Sequence, residues 1–144
     1  MTAIEFHFNA PDKLVYACRL LRKACNRGLR TVVTAEPAVL EALDRTLWTF
    51  SQLDFLPHCT AHAPARMLAA SPVVLADSLA TAPAHAVAVN LGHGLPQGFE
   101  KFERLIEVVG QQDDDRQTAR QRWKHYAQRG YAITRHDLAA GSTA

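Results

Sequence analysis

Five groups of residues have types and spacings that could do chemistry. Gly92-His93-Gly94-Leu95-Pro96-Gln97-Gly98 follows an apolar run, as a dinucleotide-binding turn should. The spacing misses that fingerprint by one, Pro96 interrupts it, and no Walker A sequence occurs in the chain. A connecting loop accounts for it with less. His58, Cys59 and His62 are the only compact set of metal-type residues, but zinc needs three or four ligands in fixed geometry. Pro57 and Pro64 argue against the helix that would put His58 and His62 on one face. Ser71 and Ser78 lack a nucleophile-elbow context. Asp113-Asp114-Asp115 reads as compensation of a helix dipole rather than as a metal site. No catalytic constellation emerges, and neither a cofactor nor a bound metal is expected.

The fifth group carries more. Arg116, Arg120 and Lys124 recur at i, i+4 and i+8, which makes one stripe on a helix, with Trp123 beside it. A cationic ridge next to a large aromatic suits an acidic peptide with an apolar anchor. Guanidinium groups grip carboxylates in bidentate fashion, and an indole can wall a slot. Spacing alone favours the plainer alternative, a solvated basic face with Trp123 turned into the core. A second aromatic patch, Leu47-Trp48-Thr49-Phe50 with Phe55-Leu56-Pro57-His58, reads as core first and as a partner surface second.

The elements that must position these groups follow from periodicity. Ile4-Glu5-Phe6-His7-Phe8 alternates with period two and predicts a half-buried strand. From Lys13 the stripe Leu14, Ala17, Cys18, Leu21, Cys25 predicts a helix ended by Gly28. Arg30 to Ala35 is a β-branched run suited to a buried parallel strand. Pro37 then opens a second helix with Val39, Leu40, Leu43, Leu47 and Trp48 as its apolar side. Further strands are expected at Pro72 to Leu75, Ala86 to Leu91, Leu105 to Val109 and Tyr131 to Arg135. His58 to His62 reads as loop, Asp77 to His85 as a loop or single turn, and Phe99 to Arg104 as a short helix. The clearest late helix runs from Asp113 to near Gly130. The order β-α-β-α predicts a single-domain α/β, Rossmann-like three-layer fold, with a mostly parallel central sheet and helices on both faces. The domain is expected over residues 1–137, with 138–144 as a frayed tail.

Composition limits the functions. A chain of 144 residues, 48% of them hydrophobic, suffices for one core without staples. A net charge of +2 is too small and too dispersed to argue for wrapping duplex DNA. Three cysteines with no C-x-x-C pair suggest free buried thiols in a reducing, cytoplasmic setting. No signal peptide and no run of membrane-spanning length is expected.

Taken in order, several pieces resemble a known family over nearly the whole chain: Phe6-His7-Phe8, Gly28-Leu29-Arg30-Thr31-Val32-Val33, Leu43-Asp44 with Leu47-Trp48, and Phe55-Leu56-Pro57-His58. The best-matched piece is Ala119-Arg120-Gln121-Arg122-Trp123-Lys124-His125-Tyr126 with Gly130-Tyr131. The family is the chi subunit of the bacterial DNA polymerase III holoenzyme. The resemblance implies a Rossmann-like fold without nucleotide chemistry, and a non-catalytic adaptor of the clamp-loader assembly in DNA replication. It implies two partners, the acidic C-terminal tail of single-stranded DNA-binding protein, which ends in phenylalanine, and the psi subunit, with which chi pairs as a heterodimer. Carried over, Arg120 and Lys124 would take the tail's carboxylates, Arg116 would support them, and Trp123 and Val109 would line the phenylalanine slot. Trp123 stands where relatives can carry tyrosine. Trp48 and Phe55 would face psi. Direct DNA binding and membrane contact are not expected. The competing reading is a small nucleotide-binding α/β enzyme using the Gly92–Gly98 loop.

Overall fold

The computed structural model describes residues 2–49, 58–60, 63–83 and 86–140. The elements are β1 (Ala3–Ala10), α1 (Lys13–Asn26), β2 (Thr31–Thr34), α2 (Pro37–Thr49), β3 (His58–Thr60), α3 (Ala65–Ala70), β4 (Val73–Ala76), β5 (Val87–Asn90), β6 (Arg104–Gly110), α4 (Asp113–Gln128) and β7 (Ile133–Asp137), with 3-10 turns at Phe99–Lys101 and Leu138–Ala140. The strands form one sheet in the order β3-β4-β2-β5-β6-β1-β7. Every pairing is parallel, where the sequence predicts a mostly parallel sheet.

Period-two alternation divides the core between the two faces. Val33, Val73, Leu75, Val87, Val89, Ile106 and Val108 pack under α1 and α2, against Ala17, Cys18, Leu21, Leu43 and Leu47. Their neighbours Val32, Val74, Ala76, Ala88, Leu105 and Val109 point the other way, with Ile4 and Phe6, toward Ala119 and Tyr126 of α4. Burial on both faces is why β2, β4 and β5 read as continuous apolar runs. β1 is not the half-buried strand its alternation predicts, because the His7 side chain lies under α1 and is itself buried.

Helix ends explain the chain's path. Asp12 accepts hydrogen bonds from the N–H groups of Leu14 and Val15 and so caps α1. At its other end the N–H groups of Gly28 and Leu29 bond the carbonyls of Cys25 and Ala24, a Schellman motif with Gly28 at φ +73°. The same motif ends α4, with Gly130 at φ +79° and Tyr131 bonded back to the Tyr126 carbonyl. The Tyr131 ring then packs edge-on to Tyr126, which directs the chain into β7.

Four local expectations change. His58–Thr60 is a three-residue edge strand on β4 rather than loop, too short for periodicity to show. Only Phe99–Lys101 of the expected short helix is helical, as a 3-10 turn, and Arg104 already belongs to β6. The last strand begins two residues late, after the α4 cap. Leu138, assigned to the tail by sequence, forms a 3-10 turn and packs against the α1-face core.

One polar group sits at the centre. Glu107 on β6 is fully buried on the α4 face. Its Oε1 accepts from Arg122 Nε at 3.0 Å and from Asn90 Nδ2 at 2.9 Å, and its Oε2 accepts from the Tyr126 hydroxyl at 2.5 Å. Arg122 Nη1 also donates to the His93 carbonyl at 2.6 Å, and Asn90 to that of Gly94 at 3.2 Å. Burial pushes the Glu107 carboxyl above its ordinary 4.5, against the pull of Arg122 and of the Tyr126 and Asn90 hydrogen bonds. Arg122→Ala is therefore expected to cost about 3–5 kcal/mol at pH 7, read from urea midpoints, because it strands a buried carboxylate. A carboxyl whose folded value is raised is stabilising when protonated, and that contribution fades as pH rises from 4.5 through the folded value. Losing Arg122 raises the value further, so the difference between variant and wild type should shrink as pH is lowered toward 4.5. A difference independent of pH would mean that Glu107 does not carry the charge Arg122 opposes.

Candidate functional site

Beside α4 runs an open groove of about 680 Å³. Its apolar floor comes from three elements: Phe6 and Phe8 of β1, Val109 of β6, and Ala119 with Trp123 of α4. One rim carries Arg116, Arg120 and Lys124 of α4, and the other carries Arg135 of β7. Among the described residues no carboxylate lines it. All five residues that the sequence nominates for the acidic-peptide site, Val109, Arg116, Arg120, Trp123 and Lys124, thus meet in one place.

The phase of α4 produces this arrangement. At about 100° per residue, Asp115, Ala119, Arg122 and Tyr126 share the inward face. All four are buried. Trp123 and Arg116 fall at its edge, and Arg120 and Lys124 point outward. Trp123 settles between the two sequence alternatives: half-buried, it packs its ring 5.1 Å from Phe6 and leaves one side to the groove. The Arg135 guanidinium lies 5.3 Å from the Phe8 ring centre and 5.9 Å from that of Trp123, a cation–π bridge over the floor.

The rim cations differ in freedom. Arg116 donates to Asn9 Oδ1 at 3.1 Å. Asn9 has φ +64°, at the irregularity where β1 leaves register with β6, and its side-chain amide donates to Asp137 at 2.8 Å. Arg120 and Lys124 are exposed, and no ion pair holds them among the described residues. From Arg116 to Lys124 the ridge spans about 12 Å, the length of three or four extended peptide residues.

Phe6, Phe8 and Arg135 are the groove residues that sequence reasoning missed. Phe6 stands opposite Arg135 in the parallel β1·β7 pair, a register across most of the chain that periodicity does not reveal.

The second patch is partly described. Trp48 is 58% exposed at the end of α2, edge-on to His58 at 5.3 Å, while Leu47 is buried. His58 Nε2 lies 2.8 Å from Asp44 Oδ1. Phe55 and His62 lie outside the described residues. Met67, 51% exposed on α3, lies on the segment whose carbonyl faces Cys59 of β3.

The family described as DNA polymerase III chi subunit, HolC, matches residues 1–134. The chain belongs to that family. A relative from Pseudomonas aeruginosa, DNA polymerase III subunit chi, is 29% identical over 143 residues, 96% of this chain and 98% of the relative. The C-terminal domain of the DEAD-box protein Dbp5 superposes with a TM-score of 0.63 at 12% identity, covering 96% of this chain and 91% of that one. That likeness is one of fold.

In open α/β sheets ligands favour the carboxyl ends of strands where neighbouring connections depart to opposite faces. In this chi-family chain that place lies between β1 and β6, which lead into α1 and α4. Its own side chains fill it. Asp12 caps α1, and Asp115 Oδ2 takes the Gly110 N–H at 2.6 Å. Asp115 also pairs with Lys13 at 3.1 Å and His93 at 3.2 Å. Glu36 accepts the His93 N–H, and its carboxyl is held below the ordinary range by such backbone bonds despite partial burial. Phosphate would meet carboxylates at each helix N-terminus. Two of the loop glycines serve packing: a Cβ at Gly92 would lie 2.8 Å from Glu36, and one at Gly98, which has φ +90°, would lie 2.6 Å from the Ala80 backbone. Millimolar ATP or NAD is therefore expected to leave Tm unchanged. A stabilising shift abolished by a change at Gly94 would restore the nucleotide reading.

Proposed function

We propose that this chain is a non-catalytic adaptor of the DNA polymerase III clamp-loader assembly. Its groove binds the acidic C-terminal tail of single-stranded DNA-binding protein, and its Trp48 edge binds the psi subunit. The observation that supports the first contact is the groove itself, an apolar floor between two cationic rims with no acid in its lining. Arg120 and Lys124 attract the tail's carboxylates and Arg116, held by Asn9, supports them. Trp123, Val109 and the two β1 phenylalanines receive the terminal phenylalanine, whose burial contributes roughly 1.5–3 kcal/mol. The cations are solvent-exposed, so they set encounter rate and salt dependence more than affinity.

For psi, the supporting observation is Trp48, a large aromatic that keeps 58% of its surface exposed while its ring packs edge-on to His58. Tryptophans of this kind are common anchors at interfaces. The groove's positive charge also suits single-stranded DNA, but the site offers an apolar slot rather than a row of stacking faces.

A labelled peptide copying the acidic tail should bind saturably and lose affinity as salt rises. Arg120→Ala should weaken it about 2- to 5-fold, the equivalent of an exposed ion pair of roughly 0.5–1 kcal/mol. Removing the peptide's last phenylalanine should do at least as much. Trp48→Ala should reduce capture of psi and leave peptide binding unchanged. No binding by folded protein at low salt would remove the tail reading, and equal capture of psi by Trp48→Ala would move that contact elsewhere.

A further inference from the structure

Across the sheet from the groove lies a cluster with no part in the proposed peptide site. Alternation along β1 turns Phe6 and Phe8 toward the groove and Glu5 and His7 toward α1. In the β1·β7 pair His7 stands opposite His136, two positions along the strand from Glu5. Glu5, His7 and His136 each present one ligand atom, all within 4.8 Å of one another. Glu5 Oε1 is 3.1 Å from His7 Nε2 and 3.6 Å from His136 Nε2. A tetrahedral ion with bonds of about 2.0–2.1 Å holds its ligand atoms about 3.3 Å apart, so little movement would close the site.

Outer groups already orient these ligands. The Tyr16 hydroxyl bonds His7 Nδ1, which leaves Nε2 aimed at Glu5. Arg104 takes the other oxygen of Glu5, Oε2, from Nε at 2.8 Å and Nη2 at 2.7 Å, and leaves Oε1 to the imidazoles. Groups hydrogen-bonded to imidazole and carboxylate ligands, as Tyr16 and Arg104 are here, form the usual second layer of a metal centre. A cavity of about 720 Å³, bounded by these three residues with Tyr16 and Arg104, opens beside the cluster and gives an entry path and room for a water ligand.

We propose that Glu5, His7 and His136 bind one divalent transition-metal ion of the zinc class, with an open position toward the α1-side cavity. Two imidazoles and one carboxylate select such ions over magnesium and calcium, which require mostly oxygen ligands. The Arg104 charge opposes a second cation, so the ion exchanges with solution rather than being locked in. This site is independent of the peptide groove.

The test is a Co²⁺ titration of the chelator-treated full-length chain, followed by visible d–d absorption. A band saturating at one equivalent and displaced by Zn²⁺ is expected. His136→Ala, at a half-exposed position, should abolish it with the far-UV spectrum unchanged. Glu5→Gln should weaken Co²⁺ at least tenfold, and His125→Ala on α4 should leave the band intact. His136→Gln replaces the alanine variant if that one unfolds. Absence of a saturable band in wild type, or a band of full strength in the folded His136 variant, would overturn the site.

Discussion

The Glu107–Arg122 contact is the constraint on which the remaining geometry hangs. A carboxylate with no exposure on an interior strand of a two-faced sheet demands a cation, and among the described residues Arg122 of α4 supplies it. Such a pair adds little net stability compared with an apolar substitute of equal volume. What it adds is phase. Only one rotation of α4 brings Arg122 and Tyr126 to Glu107 together, and that rotation turns Ala119 inward and sets Trp123 and Arg120 successively farther round. A helix held by leucines alone would tolerate a shift in phase that an ion pair with two further hydrogen bonds does not. Through the His93 carbonyl and Asn90 the same contact fastens the Gly92–Gly98 loop to the sheet.

That fastening belongs to a Rossmann-like sheet whose usual ligand crevice is lined by the chain's own charged side chains. The carboxyl edge is consumed by internal pairing: Asp12 and Asp115 occupy helix N-termini, and Lys13 and His93 lie against Asp115. Lys13 also donates to the Leu91 carbonyl at 2.8 Å, which ties the loop to α1. A crevice closed by the chain's own charges is a rigid junction. The surface left open lies at the side of the sheet, where the edge strand β7 and α4 flank the end of β1.

Much of this was legible in the sequence, and what was not has physical causes. α1, α2 and α4 announce themselves because their stripes are long and their ends carry Asp12, Pro37, Gly28 and Gly130. Helical spacing put Arg116, Arg120 and Lys124 on one stripe with Trp123 beside it, but spacing alone favoured a solvated face, and it was the family resemblance that nominated them as a site. Phe6, Phe8 and Arg135 were not found, because their juxtaposition depends on which strands pair and in what register. His7 and His136 escaped for the same reason. Arg122 was not singled out, since its partner Glu107 is fifteen residues away on another element and spacing along α4 does not reveal it. The glycine loop mimicked a ligand fingerprint because close backbone approach and phosphate contact make the same demand on side-chain volume; here the approach is to Ala80 and Glu36.

On the proposed function, the groove's construction favours exchange over tight capture. Its floor is preformed by packing: Trp123 rests on Phe6 and under Arg135, and Phe6 is anchored against Tyr126. A ligand therefore needs little ordering of the protein to bind. Its cations stand in solvent on two opposed rims, so each carboxylate is attracted from both sides but screened by salt on each. In the proposed complex, affinity would then come mainly from the apolar floor. Such a site distinguishes an acidic tail ending in an apolar residue from acidic chain in general, since charge brings both to the rim and only the former gains the floor. Selection by one buried residue, approached through many weak charges, gives fast association and dissociation fast enough for a moving complex to release one tail and take the next.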